Sequence, residues 1–349
     1  MNKLITTLMS AVALISTSAL AQSTNISGMD NVVYLENSVV TAGNEVTVSV
    51  MLNNTETISA FEFNIELPKG ISIPMDEDDY YMVNLSTKRT TTRKHILESS
   101  LKSDGSIYVL CYSNKSEVFS GNSGEVATIT FKADASLAIG NYSIVLRDQV
   151  ITKSNSQTIE PGKVTSTMTV LKDITLNDKG WATFSSSANL SVATSGVEVH
   201  TGTCDGTKVS TKKTGSNFIP ANEGVLLKGN AGQKVSFTVA TSGTALTQND
   251  LLPTTTVGGL ESIPNTGKVY VLNGNEFRVY VADTFVPNKA YLHLSGANSE
   301  LRISCEDEPM GIDDICTDNS METYNLQGQR LMQSQKGMNV INGEKVFVK

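Results

Sequence analysis

Between residues 31 and 172 apolar and polar side chains alternate over short runs, the period of strands with one face buried. The run from Ala60 to Leu67 is the clearest. Phe61, Phe63, Ile65 and Leu67 fall on one face and Glu62, Asn64 and Glu66 on the other, because successive strand side chains point to opposite sides. Residues 46–50, 107–112, 126–131 and 142–146 repeat the pattern. Pro68-Lys69-Gly70, Asp104-Gly105, Gly121-Asn122-Ser123-Gly124 and Gly140-Asn141 separate the runs with turn chemistry. Short strands, regular turns and no amphipathic helix predict an all-β chain whose first half is an immunoglobulin-like or jelly-roll β-sandwich.

The pattern continues from 173 to 305, with strands expected at 181–184, 224–227, 235–239, 269–272 and 277–281. Residues 306–318 then hold six acidic residues and no basic one, a composition that predicts a solvated linker. Near the end, Val340-Ile341-Asn342-Gly343-Glu344-Lys345-Val346 reads as a hairpin turning at Asn342-Gly343. The expected organisation is a β-sandwich over 31–172, a second β domain over 173–305, an acidic linker over 306–321 and a small β tail over 322–349.

The N-terminus changes the picture most. Lys3 is the only charged residue before Asp30; an apolar run follows at 8–15, and Ala19-Leu20-Ala21 stands ahead of Gln22. These are the three parts of a secretory signal peptide over 1–21, with an apolar core too short to span a bilayer. An exported protein, extracellular or on the cell surface, is expected, with the periplasm as the alternative. With 35 acidic against 27 basic residues and no long basic run, the chain is poorly suited to nucleic acid, and no later segment predicts a membrane span. Cys111, Cys204, Cys305 and Cys316 are too scattered for a disulfide scaffold or a metal knuckle. Cys111 reads as a buried small hydrophobe, and a bridge between Cys305 and Cys316 stays open.

Several strings carry a resemblance. Thr41-Ala42-Gly43-Asn44-Glu45-Val46-Thr47-Val48, Ile58 to Ile65, Gly124 to Phe131 and Gly140-Asn141-Tyr142-Ser143-Ile144 resemble consecutive strands of cohesin and cellulose-binding-type sandwich modules. That resemblance implies capture of a dockerin-like protein module or binding of a polysaccharide, and it brings no site residue with it. Gly180-Trp181-Ala182-Thr183-Phe184, residues 219–229, Asn288-Lys289-Ala290-Tyr291-Leu292 and the tail strings Tyr324 to Arg330 and Lys336 to Gly343 are similar to modules of secreted and surface proteins of gut Bacteroidetes. The tail resemblance implies sorting toward the cell surface or medium.

Catalytic chemistry finds little footing. His95, His200 and His293 are the only histidines, and no HExxH, G-x-S-x-G, G-x-G-x-x-G or P-loop pattern occurs. No enzyme, cofactor or metal is expected. Asp76-Glu77-Asp78-Asp79 lacks the spacing of a calcium loop and reads as solvated. Lys88, Arg89, Arg93 and Lys94 read as a small basic patch. Trp181, the single tryptophan, reads as core filling more readily than as a sugar platform. The candidate ligand-binding residues are Tyr108 and Tyr112, which share one strand face, together with Tyr80 and Tyr81. The expected function is non-catalytic binding of polysaccharide or a protein module; the alternative is a structural adhesin or matrix component with no small ligand.

Overall fold

The computed structural model describes residues 26, 29–90, 94–254, 267–282, 284–296 and 300–305, and the backbone of strands at 323–325, 330–331, 337–341 and 344–348. The expected signal peptide and linker, Arg93 and Cys316 lie outside the described residues, as does the Cys305 side chain. The chain falls into two units, Met1–Cys305 and Glu306–Lys349. No helix occurs among the described residues.

The first unit opens with strands β1 (Val32–Leu35), β2 (Ser38–Thr41), β3 (Glu45–Asn53), β4 (Ile58–Glu66), β5 (Ile71–Ser72) and β6 (Val83–Leu85). They are followed by β7 (Ile96–Leu101), β8 (Ile107–Tyr112), β9 (Ser123–Ala133), β10 (Gly140–Lys153), β11 (Thr158–Ile159) and β12 (Val164–Leu171). Two sheets result. One runs β1-β3-β9-β5 with β6 beside β9; the other runs β2-β12-β10-β4-β8-β7 with β11 beside β10. Pairing is antiparallel except between β2 and β12, and the chain changes sheets between Leu35 and Ser38.

The alternating apolar positions meet between the sheets. Phe61, Phe63, Ile65, Val109, Cys111, Ile129 and Phe131 are buried there, and Phe61 stacks on Phe63 and Phe119 at 5.9 and 5.4 Å. Each large aromatic contributes about 3–5 kcal/mol against truncation to alanine. Burial pushes the Cys111 thiol up to about 12, so it stays protonated and behaves as a hydrophobe. The β4–β10 ladder is broken by a bulge between Arg147 and Val150, where Asp148 takes a positive φ of 51°. The extra residue turns Gln149 inward, and its Oε1 accepts the Val33 N–H at 3.1 Å. That bond ties the two sheets together.

Residues 173–305 build a nine-stranded sheet, a three-stranded sheet and a two-stranded pair over two further apolar cores. The expected strand at 235–239 is two strands. Val235 pairs with Ile174 and Phe237 with Val192, and the Ser236 N–H between them bonds to Thr194 Oγ1. The strand expected at 277–281 stops at Val279, and Val281 is 91% exposed. Asn288 joins this half to the sandwich: its Oδ1 accepts the Ile139 N–H and its Nδ2 donates to the Ile139 carbonyl, each at 2.7 Å. Ile139 accordingly packs in the second half's core.

In the second unit, 323–325 pairs with 330–331 and with 337–341, and 337–341 pairs with 344–348. Ile341 stands opposite Glu344, the register of a two-residue hairpin loop; Asn342 and Gly343 themselves lie outside the described residues.

Candidate functional site: the outward face of the β10-β4-β8-β7 sheet

Strand β8 alternates buried and half-buried residues from Ile107 to Tyr112. Ile107, Val109 and Cys111 enter the core, so Tyr108, Leu110 and Tyr112 face outward. Cross-strand register completes the surface. Leu110 lies between Glu62 of β4 and Glu98 of β7, Tyr108 lies between Asn64 and Ser100, and Tyr112 lies opposite Ile96. Val145 and Arg147 of β10 stand beyond Glu66 and Asn64. The result is an apolar and aromatic strip, Tyr108-Leu110-Tyr112, flanked by charge.

The flanking groups fix the tyrosines. Tyr108 donates its hydroxyl proton to Glu62 Oε2 at 2.5 Å, and the Lys102 ammonium sits 4.6 Å from the Tyr108 ring centroid. Burial, and then the bond to Glu62, push the Tyr108 phenol up to about 12. Tyr112 donates to Glu98 Oε1 at 3.1 Å, and that bond raises its pKa first of all. Arg147 pairs with Glu66 at 2.5 Å, with Asp104 at 2.6 Å and with Asp148. Ser106, through side chain and backbone, and then Arg147 hold the Asp104 carboxyl well below the usual carboxylate range. Asn64, expected on the polar face, is 5% exposed, and its Nδ2 donates to Asp148 Oδ2 at 2.8 Å.

The structure does not bring Tyr80 and Tyr81 to this face. They belong to the loop from β5 to β6, on the opposite sheet. Tyr80 is 69% exposed, while Tyr81 forms a bridge with Met75 and packs on the sandwich core. In the same loop Asp76 Oδ1 accepts the N–H groups of Asp78 and Tyr80 at 3.0 and 2.9 Å. Trp181 is 6% exposed and belongs to a core of the second half.

The basic patch expected at 88–94 is corrected. Arg89 is 5% exposed: it donates to the carbonyls of Leu52, Ser120 and Gly121 and to Asn54 Oδ1. Lys88 and Lys94 pair with Glu125 and Glu117, each at 2.8 Å. At Lys88, Arg89 and Lys94 a clamp and two ion pairs replace a free cationic surface. Sequence spacing missed Lys102 and Arg147, whose relevance comes from cross-strand register alone.

Residues 32–171 match the family model of the cohesin domain, a non-catalytic protein-binding module. Similar solved structures include a type I cohesin from Pseudobacteroides cellulosolvens, with 18% identity over 40% of this chain and 90% of that one and a TM-score of 0.33. Another is the type I cohesin–dockerin complex from Clostridium thermocellum, with 15% identity, 40% and 99% coverage and a TM-score of 0.34. A third is a non-cellulosomal cohesin from the archaeon Archaeoglobus fulgidus, with 11% identity, 40% and 91% coverage and a TM-score of 0.32. No curated protein matches the chain.

Proposed function

We propose that residues 32–171 dock a dockerin-type protein module on the outward face of β10-β4-β8-β7. The observation that carries this reading is the Tyr108-Leu110-Tyr112 strip with its charged border. Protein interfaces favour tyrosine and arginine at a desolvated centre with a polar rim. The opposite sheet is a poorer candidate: its outer side carries small polar pairs such as Thr47–Thr130 at 2.9 Å and Ser49–Glu125 at 2.6 Å. A polysaccharide needs a bare aromatic face for stacking, whereas Lys102 covers Tyr108; the balance therefore favours a protein partner. Glu62, Glu66, Glu98, Asp104 and Asp148 border the strip with Arg147 and Lys102, so the complementary partner surface is basic. The test is binding of the purified chain to a panel of immobilised dockerin modules. Saturable binding that weakens about ten-fold or more in Tyr108→Ala or Tyr112→Ala is expected. No binding to any module, or binding indifferent to both substitutions, refutes the reading.

We also infer that the module works outside the cytoplasm, from the charge, apolar run and Ala19-Leu20-Ala21 of the first 21 residues. N-terminal sequencing of protein recovered from the cell surface or medium is expected to begin at Gln22; an intact Met1 there contradicts it.

A further inference from the structure

The nine-stranded sheet coils so that its first strand, 181–184, comes beside 290–294. Between them lies a cavity of about 280 Å³. One wall is a stack of three rings: Tyr280 on Phe285 with centroids 5.9 Å apart, and Phe285 on Tyr291 at 4.2 Å. The Tyr280 hydroxyl donates to the Thr284 carbonyl at 3.0 Å, which holds the stack. Trp181 forms part of the facing wall. It is set by the turn at Gly180, whose φ is +75° and where a Cβ would lie 2.1 Å from the Gly229 carbonyl oxygen, so no other residue fits there. Lys228 over its ring at 5.3 Å and the edge of His200 at 5.7 Å hold the indole in place.

Lys289 also lines the cavity. Lys289 is exposed, and desolvation by the protein around it lowers its ammonium from the ordinary lysine range. Among the described residues, then, an ammonium with no carboxylate partner stands beside aromatic walls, the arrangement of an anion receptor.

We propose that this cavity binds a small ring carboxylate, its ring against the Tyr280–Phe285–Tyr291 wall and its carboxylate on the Lys289 ammonium. Small-molecule sites span roughly 300–1,000 Å³, so a cavity of 280 Å³ takes a single ring. Uronic acid sugars and simple aromatic acids share this chemistry. The site is separate from the sandwich face, and the failure of either proposal leaves the other standing.

The test uses the full chain and its own reporter, since Trp181 is the single tryptophan. Its fluorescence is followed during titration with D-galacturonate and with benzoate, and with their neutral counterparts methyl galactoside and benzamide. A saturable change with at least one acid is expected, and about ten-fold or more weaker binding of the matching neutral compound, the worth of one charge-assisted bond. The responding acid tells a sugar site from an aromatic one. Lys289→Met is expected to weaken binding to a similar degree, and Lys289→Arg to keep most of it. The proposal is overturned if neither acid moves the fluorescence, if the neutral compound binds as tightly, or if Lys289→Met with native emission binds the acid unchanged. The acid-against-neutral comparison needs no variant.

Discussion

His95 packs its ring on Phe119 at 4.6 Å, and His200 lies edge-on to Trp181 at 5.7 Å. Both are buried, and burial lowers both pKa values despite the neighbouring carboxylates of Glu117 and Glu198. The sign follows directly. An unfolded histidine takes up a proton near pH 6.5, while the folded state resists it until lower pH, so acid favours unfolding. Stability is therefore expected to fall as the pH drops from about 6.5, before the depressed carboxylates of Asp148 and Glu198 begin to titrate. Urea midpoints at pH 7.5 and 5.5 check this: a lower midpoint at 5.5, with the difference reduced in His95→Phe, is the expected outcome. Equal midpoints count against it. At the same scale, period two placed Tyr108 and Tyr112 on one strand face from sequence, and the structure turns that face outward. The groups that fix them, Glu62, Lys102 and Glu98, lie 46, 6 and 14 positions away or closer through pairing, and no local pattern encodes such register.

At the scale of elements, Arg89 fastens three segments. Its guanidinium joins its own turn to the end of β3 at Leu52 and Asn54 and to the 120–121 loop ahead of β9. Arg89→Ala strands several buried acceptors, each costing about 1–3 kcal/mol when left unpaired. A loss of roughly 3 kcal/mol or more in chemical unfolding is expected, and Arg89→Lys recovers little because an ammonium cannot span the fork of acceptors. A change within about 0.5 kcal/mol, the range of an ordinary surface substitution, contradicts the clamp. Sequence alone reads this arginine as surface charge, since its acceptors are mostly backbone carbonyls, which composition does not mark. Strand positions were legible where alternation was clean, as at 107–112. They were not where one run serves two sheets, as at Ser236, or where a bulge reverses the faces, as at Asp148. Both depend on partners far along the chain.

For the whole molecule, the two-sheet sandwich was readable from alternation and turn chemistry, because a chain of short half-buried strands has few other ways to cover its apolar faces. The proposed docking face was only half readable: the tyrosines were visible, whereas Lys102 lying over Tyr108, which favours a protein partner over a glycan, was not. The cavity at Trp181 and Lys289 was not readable, since it depends on a sheet coiling until distant strands meet. The central claim is that the β10-β4-β8-β7 face docks a dockerin-type module. It is tested most directly by measuring dockerin-module binding for Leu110→Arg, in the middle of that face, beside Thr47→Arg on the opposite sheet. The account predicts that Leu110→Arg weakens binding by about ten-fold or more while Thr47→Arg binds as the unaltered chain does. Unchanged binding by Leu110→Arg, or equal loss in both, contradicts it.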